Sequence, residues 1–149
     1  MLQAFVDLSN FTPVWAFYES IIPHCVERIA EEIASETETE MKRRAPVGKT
    51  RELVENIRKV QLGPATWAVA PMGVPHLPYV VYGTRPHMIY PRAAQALRWI
   101  DEESSEARFA KYVHHPGTRP NPFIWQTEDA MRSRAPLIAE RVFRSMLGG

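Results

Sequence analysis

Two adjacent imidazoles, His114 and His115, are the first residues in this chain whose type and placement could do chemistry. On an extended backbone, neighbouring side chains point to opposite faces, so the pair makes a poor shared metal site. No Glu or Cys stands near them at a ligand spacing such as H-E-x-x-H, and His24, His76 and His87 fall in separate segments. Serine, histidine and aspartate all occur, yet no G-x-S-x-G elbow is present to expose a nucleophile. Val47-Gly48-Lys49-Thr50 resembles the end of a phosphate-binding loop. That loop needs a glycine where Arg43 stands, and a strand before it where the pattern predicts a helix. Cys25 lies beside an apolar stripe and is expected to be a buried structural thiol. The chain is therefore expected to be no enzyme and to carry no cofactor and no metal.

Composition narrows the class further. The chain has 149 residues, a size at which one domain with a real core is the simplest expectation, here with residues 1–12 as a leader. Apolar residues make up 45% and charged residues 23%, ordinary values for a globular protein. A formal charge of +1 argues against a dedicated nucleic-acid binder. A single cysteine excludes an intrachain disulfide framework and suits a reducing compartment. No stretch approaches the length of a membrane span, and the first residues lack a signal-peptide pattern, so no membrane partner is expected. The 13 prolines concentrate between elements and limit backbone freedom there.

The elements follow from spacing. Met1 to Phe11 reads as a docked arm or a short strand. Thr12-Pro13 can start a helix, and Tyr18, Ile22, Val26, Ile29 and Ile33 then form one apolar stripe, with a kink or restart expected at Pro23. The opposite face carries Glu27, Glu31, Glu32, Glu36, Glu38 and Glu40, and Lys42-Arg43-Arg44 closes the helix with the charge its dipole favours. From Leu53 the composition turns to strand. Ile57, Val60 and Leu62 lead into Gly63-Pro64, and Thr66 to Val69 continue at period two, which predicts a hairpin. Residues 71–91 hold five prolines and read mostly as loop, with Tyr79-Val80-Val81-Tyr82 packed inward. Residues 92–113 fit either a helix, through Ala93, Ala96, Leu97 and Ile100, or two strands around a turn at Glu102–Ser105. Asn121-Pro122 is a cap followed by a first-turn proline. A last helix is expected from Pro122 to Leu147, with Phe123, Met131, Ile138, Val142 and Met146 inward and a bend at Pro136.

Two features have both a plain and a sharper meaning. The glutamate face is by default a solvated helix face; alternatively it is an acidic wall past which a polyanion slides without sticking. Trp15, Trp67, Trp99 and Trp125 are more often core residues, although an exposed one makes a good anchor at a subunit contact.

The order of motifs resembles the head–tail joining proteins of long-tailed bacteriophages, also called neck or tail-completion proteins. A long first helix ends in Lys42-Arg43-Arg44-Ala45-Pro46-Val47. The family pattern then has a threonine, a leucine three residues on and an isoleucine seven residues on, matched here by Thr50, Leu53 and Ile57. Tyr79 to Thr84 matches its aromatic–Gly–Thr corner, and Ile89-Tyr90-Pro91 its Ile-x-Pro stretch. Ala96-Leu97-Arg98-Trp99 matches its next strand. Val113-His114-His115-Pro116-Gly117 and Asn121-Pro122-Phe123-Ile124 match its signature before the last helix. The resemblance covers roughly residues 20–147. Arg51 stands where the family has glycine, and one extra residue separates Pro46 from Thr50.

The resemblance implies an α+β fold, with a long N-terminal helix and a C-terminal helix packed against a small antiparallel sheet, and a hairpin within residues 92–113. It implies a structural virion subunit made in the host cytoplasm, a connector that forms a ring, commonly a hexamer. Its partners would be copies of itself, a head-closing stopper or adaptor, and a tail terminator or tail tube protein, with viral DNA passing nearby. Interface positions are then expected at Pro46, Val47, Gly48, Lys49, Thr50 and Arg51 and at Tyr82, Arg85, His87 and Tyr90. Glu27, Glu31, Glu32 and Glu36 are candidates for the channel wall, and His115, Pro116, Gly117, Asn121, Pro122 and Phe123 for a structural corner. The competing expectations are a tail terminator capping the tube, a small hydrolase using His114 or His115, and a nucleic-acid module using Lys42, Arg43, Arg44, Lys49 and Arg51.

Overall fold

In the computed structural model, residues 12–48, 50–101 and 105–148 are described, side chains from residue 16 onward. The fold is α+β. Its elements in order are α1 (Thr12–Arg44), α2 (Glu52–Glu55), β1 (Ile57–Gly63), β2 (Thr66–Pro71), α3 (Leu77–Tyr82), β3 (His87–Ile89), β4 (Leu97–Ile100), β5 (Ala107–Ala110), β6 (Val113–His115) and α4 (Phe123–Met146). Two compact units result: one from the chain up to Val74 together with Phe123 onward, the other from Pro75–Pro122.

The first unit is two helices and a hairpin. α1 runs unbroken through Pro23, so no restart occurs there, although a proline has no amide to bond the carbonyl of Glu19. α1 packs against α4 through Ile29 and Ile33, which meet Met131, Ile138, Val142 and Met146. Of the inward positions expected for α4, Phe123, Met131, Ile138 and Val142 are buried and Met146 is partly buried, Thr127 is buried as well, and the helix likewise continues through Pro136. α4 starts at Phe123, one residue later than the sequence suggests, a normal discrepancy at a helix end. Phe123 is fully buried, and the hydroxyl of Thr127, also buried, donates to its carbonyl over 2.7 Å. Truncating that ring should therefore cost about 4 kcal/mol of stability. Urea denaturation of Phe123→Ala would measure this, with a loss below roughly 1 kcal/mol contradicting the burial.

The apolar stripe is only half right. Ile29 and Ile33 pack, and Cys25 is buried as expected, but Tyr18, Ile22 and Val26 stay exposed. Helical spacing marks a face without saying how far along the helix a partner extends.

The hairpin is antiparallel as expected, with Pro64 and Ala65 at its turn and Ala65 in the left-handed region at φ 50°. Ile57, Lys59 and Gln61 share the face toward α1, so strand alternation turns Val60 and Leu62 outward, and both are exposed. Residues 52–55 are a helical turn rather than the start of that strand.

In the second unit, β4 and β5 pair antiparallel, so residues 92–113 contain the hairpin and not the helix. β3 pairs with β6. Residues 71–91 contain α3 and β3, set in otherwise irregular backbone. Only Val81 of the Tyr79–Tyr82 run is buried; Tyr79 and Tyr82 are exposed, because one short helical turn can bury one side only.

Candidate functional site

The tightest construction in the second unit is a pair of glycine corners locked against each other. Gly83 and Gly117 have φ of 72° and 84°, the left-handed region that favours glycine. A Cβ on Gly117 would lie 2.3 Å from the carbonyl oxygen of Thr84, and one on Gly83 would lie 2.4 Å from that of Thr118. This approach lets Thr84 and Thr118 exchange both backbone hydrogen bonds, at 3.0 and 3.1 Å, while their hydroxyls meet at 3.1 Å. Nearby, the amide of Asn121 donates to the carbonyl of Val80 over 3.0 Å. The corner residues His115, Pro116, Gly117 and Asn121 therefore belong to a cross-braced turn. Pro122 and Phe123 follow it into α4.

The histidines arrange themselves as extended chain geometry requires. His114 and His115 point apart, and their cross-strand partners are Met88 and His87. His115 stacks instead on His87, with ring centroids 5.0 Å apart and planes 26° apart. Strand pairing between distant segments made this contact, and spacing along one segment could not reveal it. His87 Nδ1 lies 2.9 Å from the Arg85 carbonyl and so donates to it, whereas His115 Nδ1 accepts the Gly117 amide over 3.0 Å. With those bonds made, the pair offers a single free lone pair, on His87 Nε2, too few for a metal. Among the described residues no group of three metal-ligating side chains exists.

Of the expected interface residues that are described, all but Pro46 are exposed. Tyr82 and Tyr90 are exposed by 68% and 62%, and Arg85 and His87 are exposed as well. In the first unit, Val47, Gly48, Thr50 and Arg51 are exposed and Pro46 is half-buried, while Lys49 lies outside the described residues. Arg51 has a left-handed backbone, at φ 55°. The leader, residues 1–11, also lies outside the described residues.

The acids of α1 form no bare wall. Glu27 accepts from Gln61 at 2.7 Å, and Glu31 pairs with Lys59 at 3.4 Å, both toward β1. Glu32 and Glu36 face α4 and share Arg141, at 3.2 and 3.5 Å. Each of Glu31, Glu32 and Glu36 keeps a third to a half of its side chain in solvent. Glu40 departs most from expectation, for it is buried rather than on the solvated face. It collects Arg43 at 2.6 Å, Arg44 at 2.7 Å and Arg134 at 3.4 Å. The Arg43 hydrogen bonds, against the cost of burial, hold its carboxyl down at about 2. Three consecutive basic residues after Met41 were the available signal; Arg134, on another helix, was not.

Among the tryptophans whose side chains are described, Trp99 and Trp125 are exposed, at 41% and 47%, and Trp67 is half-buried under the Lys59 ammonium, 5.1 Å from the ring, while the Trp15 side chain lies outside the described residues. Burial of large apolar side chains is scarce in the second unit. Val81 is its single buried apolar residue among those described, whereas Tyr79, Tyr90, Ile100, Phe109 and Tyr112 are each 58–65% exposed. On the β4–β5 ribbon, Ile100 and Phe109 share one face.

Compared with family models, with curated proteins and with solved structures, the chain matches none. Among the described residues no helix is long and apolar enough to cross a membrane.

Proposed function

We propose that this chain is a non-enzymatic structural subunit of the neck of a long-tailed bacteriophage. Copies of it close into a ring, commonly a hexamer, that joins the DNA-filled head to the tail tube. The motif order carries the family assignment, and the exposed apolar surface of the second unit carries the physical case. A two-stranded ribbon is marginal by itself, and this unit has two of them over one buried valine. Aromatic residues left in water at that density mark a surface meant to be covered. The braced Gly83–Gly117 corner holds the backbone of that unit in one arrangement, which suits a contact repeated between copies. The α1 acids are the channel-facing candidates; Glu31 is already partnered by Lys59 and Glu32 and Glu36 by Arg141, so that these three repel DNA only weakly.

The double variant Tyr90→Ser, Phe109→Ser tests this. Both side chains are exposed, so folding should be unchanged while ring assembly, followed by sedimentation velocity, weakens by about tenfold or more. Unaltered assembly would show that this surface is not the contact.

A further inference from the structure

Positive charge in the first unit gathers at one point. The buried carboxylate of Glu40, on α1, meets three guanidiniums. Arg43 gives it Nε at 3.0 Å and Nη2 at 2.6 Å, Arg44 gives Nε at 2.7 Å, and Arg134 of α4 gives Nη1 at 3.4 Å. Three positive charges against one negative leave +2 at this cluster. Glu36 and Glu38, the neighbouring acids of α1, pair with Arg141 and Lys42, and no other carboxylate among the described residues pairs with the trio. The carbonyls at the C-terminus of α1 offset about half a charge, which leaves about +1.5.

Each of these guanidiniums has more N–H donors than it gives to Glu40. Arg43 keeps Nη1, and Arg134 keeps Nε and Nη2; the first side chain stands mostly in solvent and the second about half. A structural ion pair needs one cation per carboxylate, as Lys42 and Glu38 show a turn away. Holding three cations within reach of one carboxylate sets like charges against each other, a repulsion that a second anion would relieve. Because Glu40 already orients the forks, such an anion need not order long side chains itself.

We propose that Arg43, Arg44 and Arg134 form a phosphate-binding site, with Glu40 as the post that aims them. Guanidinium forks match phosphate oxygens bidentately. A phosphate carrying about −1.5 to −2 at pH 7 balances the cluster, whereas a single carboxylate leaves part of the charge unmet. Two successive phosphates of a DNA strand supply similar charge through the same oxygens. Inorganic phosphate and the DNA backbone are therefore two sources of one ligand chemistry. The site lies within one copy of the chain and stands with or without the ring.

The test titrates the full chain with inorganic phosphate and follows the arginine Nε–H resonances by NMR. Those of Arg43, Arg44 and Arg134 are expected to move and saturate, while acetate at equal ionic strength leaves them in place. Arg134→Gln and Arg43→Gln should each weaken phosphate binding about tenfold. Arg132→Gln removes the same charge from the exposed pair with Glu128 and should change binding less than about twofold. Displacement of phosphate by a short DNA duplex assigns the site to the DNA backbone; saturation without displacement assigns it to free phosphate. The site is overturned by any of three results: no saturable shift in a chain whose α4 amides around Met131 and Ile138 stay protected, an equal response to acetate, or an equal loss in Arg132→Gln. The trio would then serve folding alone, a carboxylate contact, or a diffuse field, respectively.

Discussion

Gly117→Ala should abolish the corner of the second unit. The alanine Cβ would sit 2.3 Å from the Thr84 oxygen and 3.0 Å from the carbonyl carbon of Arg85, both backbone atoms that cannot rotate away. To that overlap is added the cost of holding a non-glycine residue at φ 84°, about 1–2 kcal/mol. A total of about 3 kcal/mol or more is expected for the local structure. The loss should be confined to Pro75–Pro122. Amide exchange at Thr84 and Thr118, which bond each other across the corner, would accelerate, whereas the amides of α4 around Met131 and Ile138 would stay protected. Equal protection in variant and wild type would mean that the corner tolerates a side chain and is not braced as described.

Glu40 should make stability fall steeply in acid. Its carboxyl titrates at about 2 in the folded chain, against a reference near 4.5. A group with a depressed folded value stabilises above its unfolded value, and that contribution disappears as pH falls from about 5 toward 2. Glu38, held down chiefly by Lys42, adds in the same direction. Because Arg43 stands largely in solvent, screening trims the Glu40 share to about 2 kcal/mol. Glu40→Gln should lose about that much at pH 7 and show a correspondingly flatter stability profile between pH 5 and pH 2. A profile as steep as that of the wild type would remove Glu40 from the account.

Local patterns in the chain were legible because they depend on neighbours along the sequence. The α1 periodicity, the Gly63-Pro64 turn and the α4 inner face from Phe123 to Met146 all come from such patterns, and each is present. Facts that depend on distant partners were not legible. Tyr18 and Val26 continue the stripe of Ile29, yet they stay in solvent. Val60 and Leu62 were legible as strand residues, but which face they take was not: Ile57 sets the phase of the strand and sends them outward. His87 meets His115 only because β3 pairs with β6. Glu40 reads as one more surface acid until Arg134 arrives from α4. Of the candidate interface, Tyr82 was read as packed inward and is exposed, Arg85, His87 and Tyr90 are exposed as a contact requires, and the near absence of a core beneath them was not anticipated.

Native mass spectrometry of the purified full chain over a concentration series tests the central claim most directly. A single closed species of fixed copy number, commonly six, should replace the monomer without an open-ended ladder of higher forms. A chain that remains monomeric throughout, even when mixed with head-closing and tail tube proteins, would contradict a subunit whose apolar surface exists to meet its own copies.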